Sequence, residues 1–162
     1  MKIRKAEARD AEAIARIIMP VIRDGRTYAL DPAMDEAEAL AYWLGGDRET
    51  FVAEEEEDGA LLGTYYLRAN QGGGGSHVAN CGYMTSTDAQ GRGVARAMCT
   101  HSLVRAKERG FRAMQFNFVV STNARAVALW QSLGFAIVGT LPEAFRHPAQ
   151  GFVDVLVMHR AL

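Results

Sequence analysis

The sequence predicts an α+β (α/β) domain: a mixed, mostly antiparallel central sheet flanked by helices, in the order β-α-α-β-β-β-α-β-α-β-β. Three observations carry this. Strand-like and helix-like runs alternate along the whole chain. Two mid-chain strands are joined by an acidic turn of hairpin length. Two later strands each lead through a short turn into a helix. No internal repeat divides the chain, and residues 1–162 read as a single domain large enough to bury a core without disulfides or a metal.

Residues 2–6 form a short first strand. From Asp10, a suitable N-cap, Ala11, Ile14, Ile17 and Ile18 recur at helical spacing, and the pattern is expected to end near Pro20. The stretch "RDGRTYALDP" (23–32) is rich in turn formers, and 35–44 is a second helix closed by Gly45-Gly46. Residues 50–53 and 61–67 make the hairpin across the acidic turn 54–59, which reads as a solvated tip rather than a cation site. The loop "NQGGGGS" (70–76) is too short to separate domains. Then come a strand over 77–85, a helix over 92–109 stopped by Gly110, and a strand over 113–120. A helix over 123–133 stopped by Gly134 follows, with final strands over 135–141 and 152–158.

Composition narrows the function classes. Eighteen basic and nineteen acidic residues leave a formal charge of -1, which gives no reason to expect nucleic acid or a membrane surface as partner. No apolar run approaches the roughly 20 residues needed to span a bilayer, and the N-terminus lacks a signal-peptide core. Cys81 and Cys99 have no metal-ligand spacing and are too few for a disulfide scaffold. A cytoplasmic protein without a metal is the expectation.

The segment "TSTDAQGRGVARAM" (85–98) sets Gly91 and Gly93 just ahead of a helix. The first turn of a helix leaves about four N–H groups unpaired, and its dipole favours an anion there. Glycine lets an anion approach the amides where a Cβ would hold it off. The Walker pattern is absent, and Arg96 stands where a dinucleotide fingerprint needs its third glycine. Taken alone, the glycines suit either an anion nest or a helix-start turn packed closely. In "FNFVVSTNARAVALWQSLGF" (116–135), Asn123 opens the next helix and is either its cap or a group that reaches a ligand beside the glycine turn.

Gln90-Gly91-Arg92-Gly93-Val94-Ala95 resembles the Arg/Gln-x-x-Gly-x-Gly/Ala signature of the GNAT N-acetyltransferase superfamily. The stretch from Asn123 to Gly134-Phe135 resembles its Asn-x-x-Ala-x-x-Leu-(Tyr)-x-x-x-Gly-Phe element. The resemblance covers essentially the whole chain. It implies acetyl-CoA as cosubstrate, its pyrophosphate on the backbone of Gly91, Arg92, Gly93, Val94, Ala95 and Arg96, with Asn123 alongside. It also implies that Tyr83, Met84 and Thr85 pair their backbone with the pantetheine arm, where strands 77–85 and 113–120 splay.

The implied reaction is direct attack of a small amine on the thioester, with a backbone N–H at Met84 or nearby as the oxyanion donor. Trp130 stands where the family often has a tyrosine; an indole cannot protonate a thiolate at neutral pH, and core packing is its other reading. No general base stands out; His77 and His101 qualify only by residue type. "NCGYM", "FNFVVSTN" and "LWQSLGFAIVGTLPEAF" are further similar to the branch acting on azetidine-2-carboxylate and related imino acids. That similarity implies Asn80 and Asn117 at the acceptor, as catalytic and substrate-binding groups; pairing with neighbouring backbone is their alternative. Arg26 and Tyr28 are candidate walls of the acceptor pocket, and Arg146 and His147 a weaker version of the same idea. A protein or peptide acetyltransferase and a non-catalytic acyl-CoA sensor are the rival functions. By resemblance, a homodimer is expected.

Overall fold

The computed structural model describes residues 1–162. Seven strands form one sheet in the order β1-β2-β3-β4-β5-β7-β6. In chain order they are β1 (Lys2–Lys5), β2 (Arg48–Glu54), β3 (Leu61–Ala69), β4 (Val78–Thr85), β5 (Ala113–Val120), β6 (Ala136–His147) and β7 (Gly151–Ala161). The helices are α1 (Ala11–Asp24), α2 (Glu36–Trp43), α3 (Val94–Glu108) and α4 (Ala124–Ser132). Every strand pair is antiparallel except β4–β5, so the sheet is mixed and mostly antiparallel as expected.

The two faces bury different clusters. On one, Ile14, Ile18 and Ile22 of α1 and Trp43 of α2 close over Val52, Tyr66 and Met84. On the other, Val94, Met98 and Cys99 of α3 and Trp130 of α4 pack on Tyr65, Leu67 and Phe116. Asp35 starts α2 with a reciprocal cap: it accepts from the Glu38 amide at 2.8 Å, and Glu38 accepts from the Asp35 amide at 2.9 Å. The docking of α3 is close because Gly63 of β3 has no side chain; a Cβ there would lie 2.8 Å from Met98 Cε and 2.9 Å from Val94 Cγ1. That contact fixes the first turn of α3 against the sheet.

Two expectations are corrected. Helix α1 does not stop at Pro20 but runs to Asp24. Pro20 and Arg16, whose carbonyl the proline leaves unpaired, are both on the exposed face, where water can satisfy it, while Ile22 continues the buried stripe. Strands β6 and β7 are longer than their sequence patterns because pairing holds them: β6 on β7 with most β6 side chains exposed, and the end of β7 on β5. Register shifts around Pro142 erase the alternation.

Candidate active-site cleft

Strands β4 and β5 pair only at Val78–Ala113 and Ala79–Met114, and beyond Ala79 they separate. The opening belongs to a cleft of about 750 Å³ that runs from the turn before α3 across β4 and β5 to the α1–α2 loop. At one end, Gly91 and Gly93 both adopt left-handed backbone, with φ of 79° and 78°. An added Cβ at either would meet nothing within 4 Å, so the conformation, not crowding, demands glycine. The amides of Gly91, Gly93, Val94, Ala95 and Arg96 donate to no backbone group, and no side chain caps α3. Five donors therefore collect at the positive end of a fifteen-residue helix.

The expected sites of this end are brought together with one exception. Arg92 turns away: its amide donates to the Ala89 carbonyl at 3.3 Å, its guanidinium pairs with Glu55, and it does not line the cleft. Asn123 lines the cleft and its side chain makes no capping bond, so the capping reading is not what the structure shows.

In the splay, the ladder decides which main-chain groups are available. Ser86 N–H donates to Leu62 C=O and Asn70 N–H to Val78 C=O, each at 2.8 Å. This phase turns Asn80, Gly82 and Met84 toward β3 and leaves Cys81, Tyr83 and Thr85 facing the opening. Of the amides expected at or near Met84 as oxyanion donor, that of Met84 is thus engaged toward β3, and that of its neighbour Tyr83 faces outward. The Tyr28 hydroxyl occupies it, accepting from Tyr83 N–H and donating to Tyr83 C=O, both at 2.8 Å. Burial holds the Tyr28 phenol well above its usual range, so it stays protonated. Trp130, on the wall, packs 5.1 Å from the Tyr83 ring and 5.2 Å from Phe116, in line with its packing reading. Burial also raises the Cys81 thiol, which keeps it from being a thiolate nucleophile at neutral pH.

The other end is made of side chains. Asn80 Nδ2 donates to the Gln115 carbonyl at 3.0 Å, bridging the separating strands. Asn117 Nδ2 donates to Asn70 Oδ1 at 2.6 Å, and Asn117 Oδ1 accepts from Gln115 Nε2 at 2.9 Å. Both asparagines line the cleft, and both already have protein partners. Tyr28 lines it; Arg26 does not, because it is half-exposed and paired with Asp24 at 3.1 Å. His77 is exposed and off the cleft. His101 lies in α3 with Nδ1 2.7 Å from the Tyr65 hydroxyl, its pKa lowered by burial, and is also off the cleft. His147 is buried in the β6–β7 turn, accepting from the amides of Ala149 and Gln150 at 3.1 Å, and Arg146 is exposed; neither lines the cleft. Sequence reasoning missed Arg68, which does. Its place near the end of β3 was visible in the sequence, but the partners that give it a role were not.

A sheet that opens beside a glycine turn and an uncapped helix start suits a ligand that carries a diphosphate on an extended arm. Residues 15–135 match the family model described as "Acetyltransferase (GNAT) family". A solved GCN5-related N-acetyltransferase from Kribbella flavida is 44% identical, with a TM-score of 0.94, 99% of this chain and 97% of that chain covered. The N-acetyltransferase aca1 of Schizosaccharomyces pombe is 28% identical over 151 residues, covering 84% of this chain and 72% of that protein. In fold alone, a GNAT superfamily phosphinothricin acetyltransferase from Sinorhizobium meliloti, solved in complex with AcCoA, is similar at 24% identity and a TM-score of 0.86. There 99% of this chain and 88% of that chain are covered. The chain belongs to the acetyltransferase (GNAT) family and is an acetyl-CoA-dependent N-acetyltransferase.

Proposed function

We propose that the protein acetylates the amine of a small amino-acid-like or imino-acid substrate, azetidine-2-carboxylate being representative of the class, by direct attack within this cleft. The observation that carries the proposal is the opening of five unpaired amides and a splayed strand pair into one continuous space. The amides of Gly91 and of Gly93 to Arg96 suit a diphosphate, and an open site without Cβ atoms at Gly91 and Gly93 leaves room for it. Acetyl-CoA supplies an activated acyl group.

The chain's own residues divide the remaining work. The Tyr83 amide is the donor placed to meet a developing oxyanion once the Tyr28 hydroxyl yields it. The backbone of Tyr83 and Thr85 offers an edge to the pantetheine arm, and Asn123 lines the same cleft as the glycine turn. Cys81, held as a thiol, is no acyl carrier, which favours attack without a covalent enzyme intermediate. Asn80 and Asn117 orient the acceptor through the polar atoms their protein partners leave over. Trp130 walls the site. A homodimer would cover Val138 and Phe152, which are 60% and 66% exposed on β6 and β7, and light scattering measures that mass directly.

Calorimetric titration with coenzyme A, followed by free-thiol release from acetyl-CoA with imino acids, amino acids, amines and peptides, tests the reading. Saturable binding and thiol release with small amino acids are expected. Release with peptides alone would make the enzyme a peptide acetyltransferase, and binding without any release would make it a sensor.

A further inference from the structure

The residues lining the cleft include three arginines but no aspartate, glutamate, lysine or histidine. Arg96 belongs to the first turn of α3, and Arg125 to the first turn of α4, two residues past Asn123. Arg68 stands apart from them, on β3 and directly across the ladder from Asn80. Its guanidinium lies 5.7 Å from the Tyr66 ring centroid, and its Nε is 3.4 Å from Asn80 Oδ1, a long contact. Its one carboxylate is Asp47, at 3.5 Å.

Asp47 is already committed. Arg48 Nε donates to it at 2.7 Å and Arg48 Nη2 at 3.3 Å, and the Arg48 side chain is 7% exposed, fixed against the rings of Tyr42 and Tyr66 at 5.0 and 4.8 Å. Two guanidiniums therefore share one carboxylate, and the surplus charge sits on the member that is less well bonded and 29% exposed, Arg68. A partly exposed cation with free donors favours an anion that can accept two parallel hydrogen bonds. The same cleft has no carboxylate to pair with a second ammonium group.

We propose that Arg68 is the carboxylate anchor of the acceptor, which selects amines bearing an α-carboxylate and turns away diamines and polyamines. The proposal rests on the N-acetyltransferase reading of the same cleft and adds the group that sets its specificity. Because the cleft holds no carboxylate or imidazole, the acceptor must arrive as the free amine or lose its proton to water. The pH dependence of kcat/KM then follows the amine's own pKa.

The test compares wild type, Arg68→Gln and Arg68→Lys. Acceptors are a proline-like imino acid, its methyl ester and a diamine, at saturating acetyl-CoA. For the acid, Arg68→Gln is expected to raise KM by about ten- to a hundredfold, the range a charge-assisted hydrogen bond supplies, with a smaller change in kcat. Arg68→Lys recovers part of the loss. The ester is affected equally little by either change, and the affinity for acetyl-CoA, measured by calorimetry, stays as in wild type. Equal losses for acid and ester, or none for the acid, would overturn the anchor. Should wild type bind acetyl-CoA yet release no thiol with any acceptor, the enzymatic reading fails separately. The anchor is then judged by calorimetric binding of the imino acid to the coenzyme A complex, which Arg68→Gln must abolish.

Discussion

The two ends of the cleft are built from different parts of the polypeptide. The glycine-turn end is nearly all main chain: five amides, two left-handed glycines and one helix dipole, contributed by six consecutive residues. The far end is lined by the side chains of Arg68 from β3, Asn80 from β4 and Asn117 from β5, with Asn70 and Gln115 bonded behind the asparagines. The first binds whatever carries a diphosphate and needs little from side-chain identity. The second is a network in which each amide is half used by a neighbour, so a single substitution can change what it accepts without touching the first.

Three measurements press on that difference. The largest effect is expected from Gly93→Val. A β-branched residue there costs about 1–2 kcal/mol of left-handed strain and projects into the open space over the amides, so affinity for coenzyme A should fall at least about tenfold by calorimetry. Unchanged affinity would mean the glycines serve only the turn. Next, Asn117→Ala removes a hydrogen bond to Asn70 and one from Gln115, each worth about 1 kcal/mol. Turnover of the acceptor should drop with acetyl-CoA binding kept, and a parallel loss of both would erase the division between the ends.

The smallest effect lies outside both. Asp10, buried and bonded by Arg4 at 2.7 and 2.9 Å, has its carboxyl held below the usual carboxylate range mainly by that guanidinium. The folded pKa lies below the unfolded value of about 3.9, so this contribution is complete above that pH and is lost as pH falls through the folded pKa. Asp10→Asn should flatten the acid limb of denaturation curves below about pH 4 and leave coenzyme A binding at neutral pH alone.

The asymmetry also explains what could be read without a structure. Strand β5 falls on residues 113–120 as its alternation said, and the glycine turn was visible because its chemistry is local: adjacent residues, one backbone conformation, one helix start. Ladder phase is not local. Whether Met84 or Tyr83 faces the opening depends on which residue of β3 each meets, and a one-residue difference reverses the answer. Arg26 drew attention as a loop cation, yet its charge is spent on Asp24 two residues away. Arg68 went unnoticed because its surplus charge depends on Arg48 holding Asp47, a three-way arrangement that spacing does not encode.

The phenol of Tyr28 has a consequence for how the cleft fills. By satisfying both the amide and the carbonyl of Tyr83, it acts as a one-residue substitute for the missing neighbour strand. The gap in the sheet is therefore not left as a raw seam onto which a foreign chain could stitch itself. An arriving extended ligand trades places with the hydroxyl and gains little from those two bonds. Its tightness must come from elsewhere along its length.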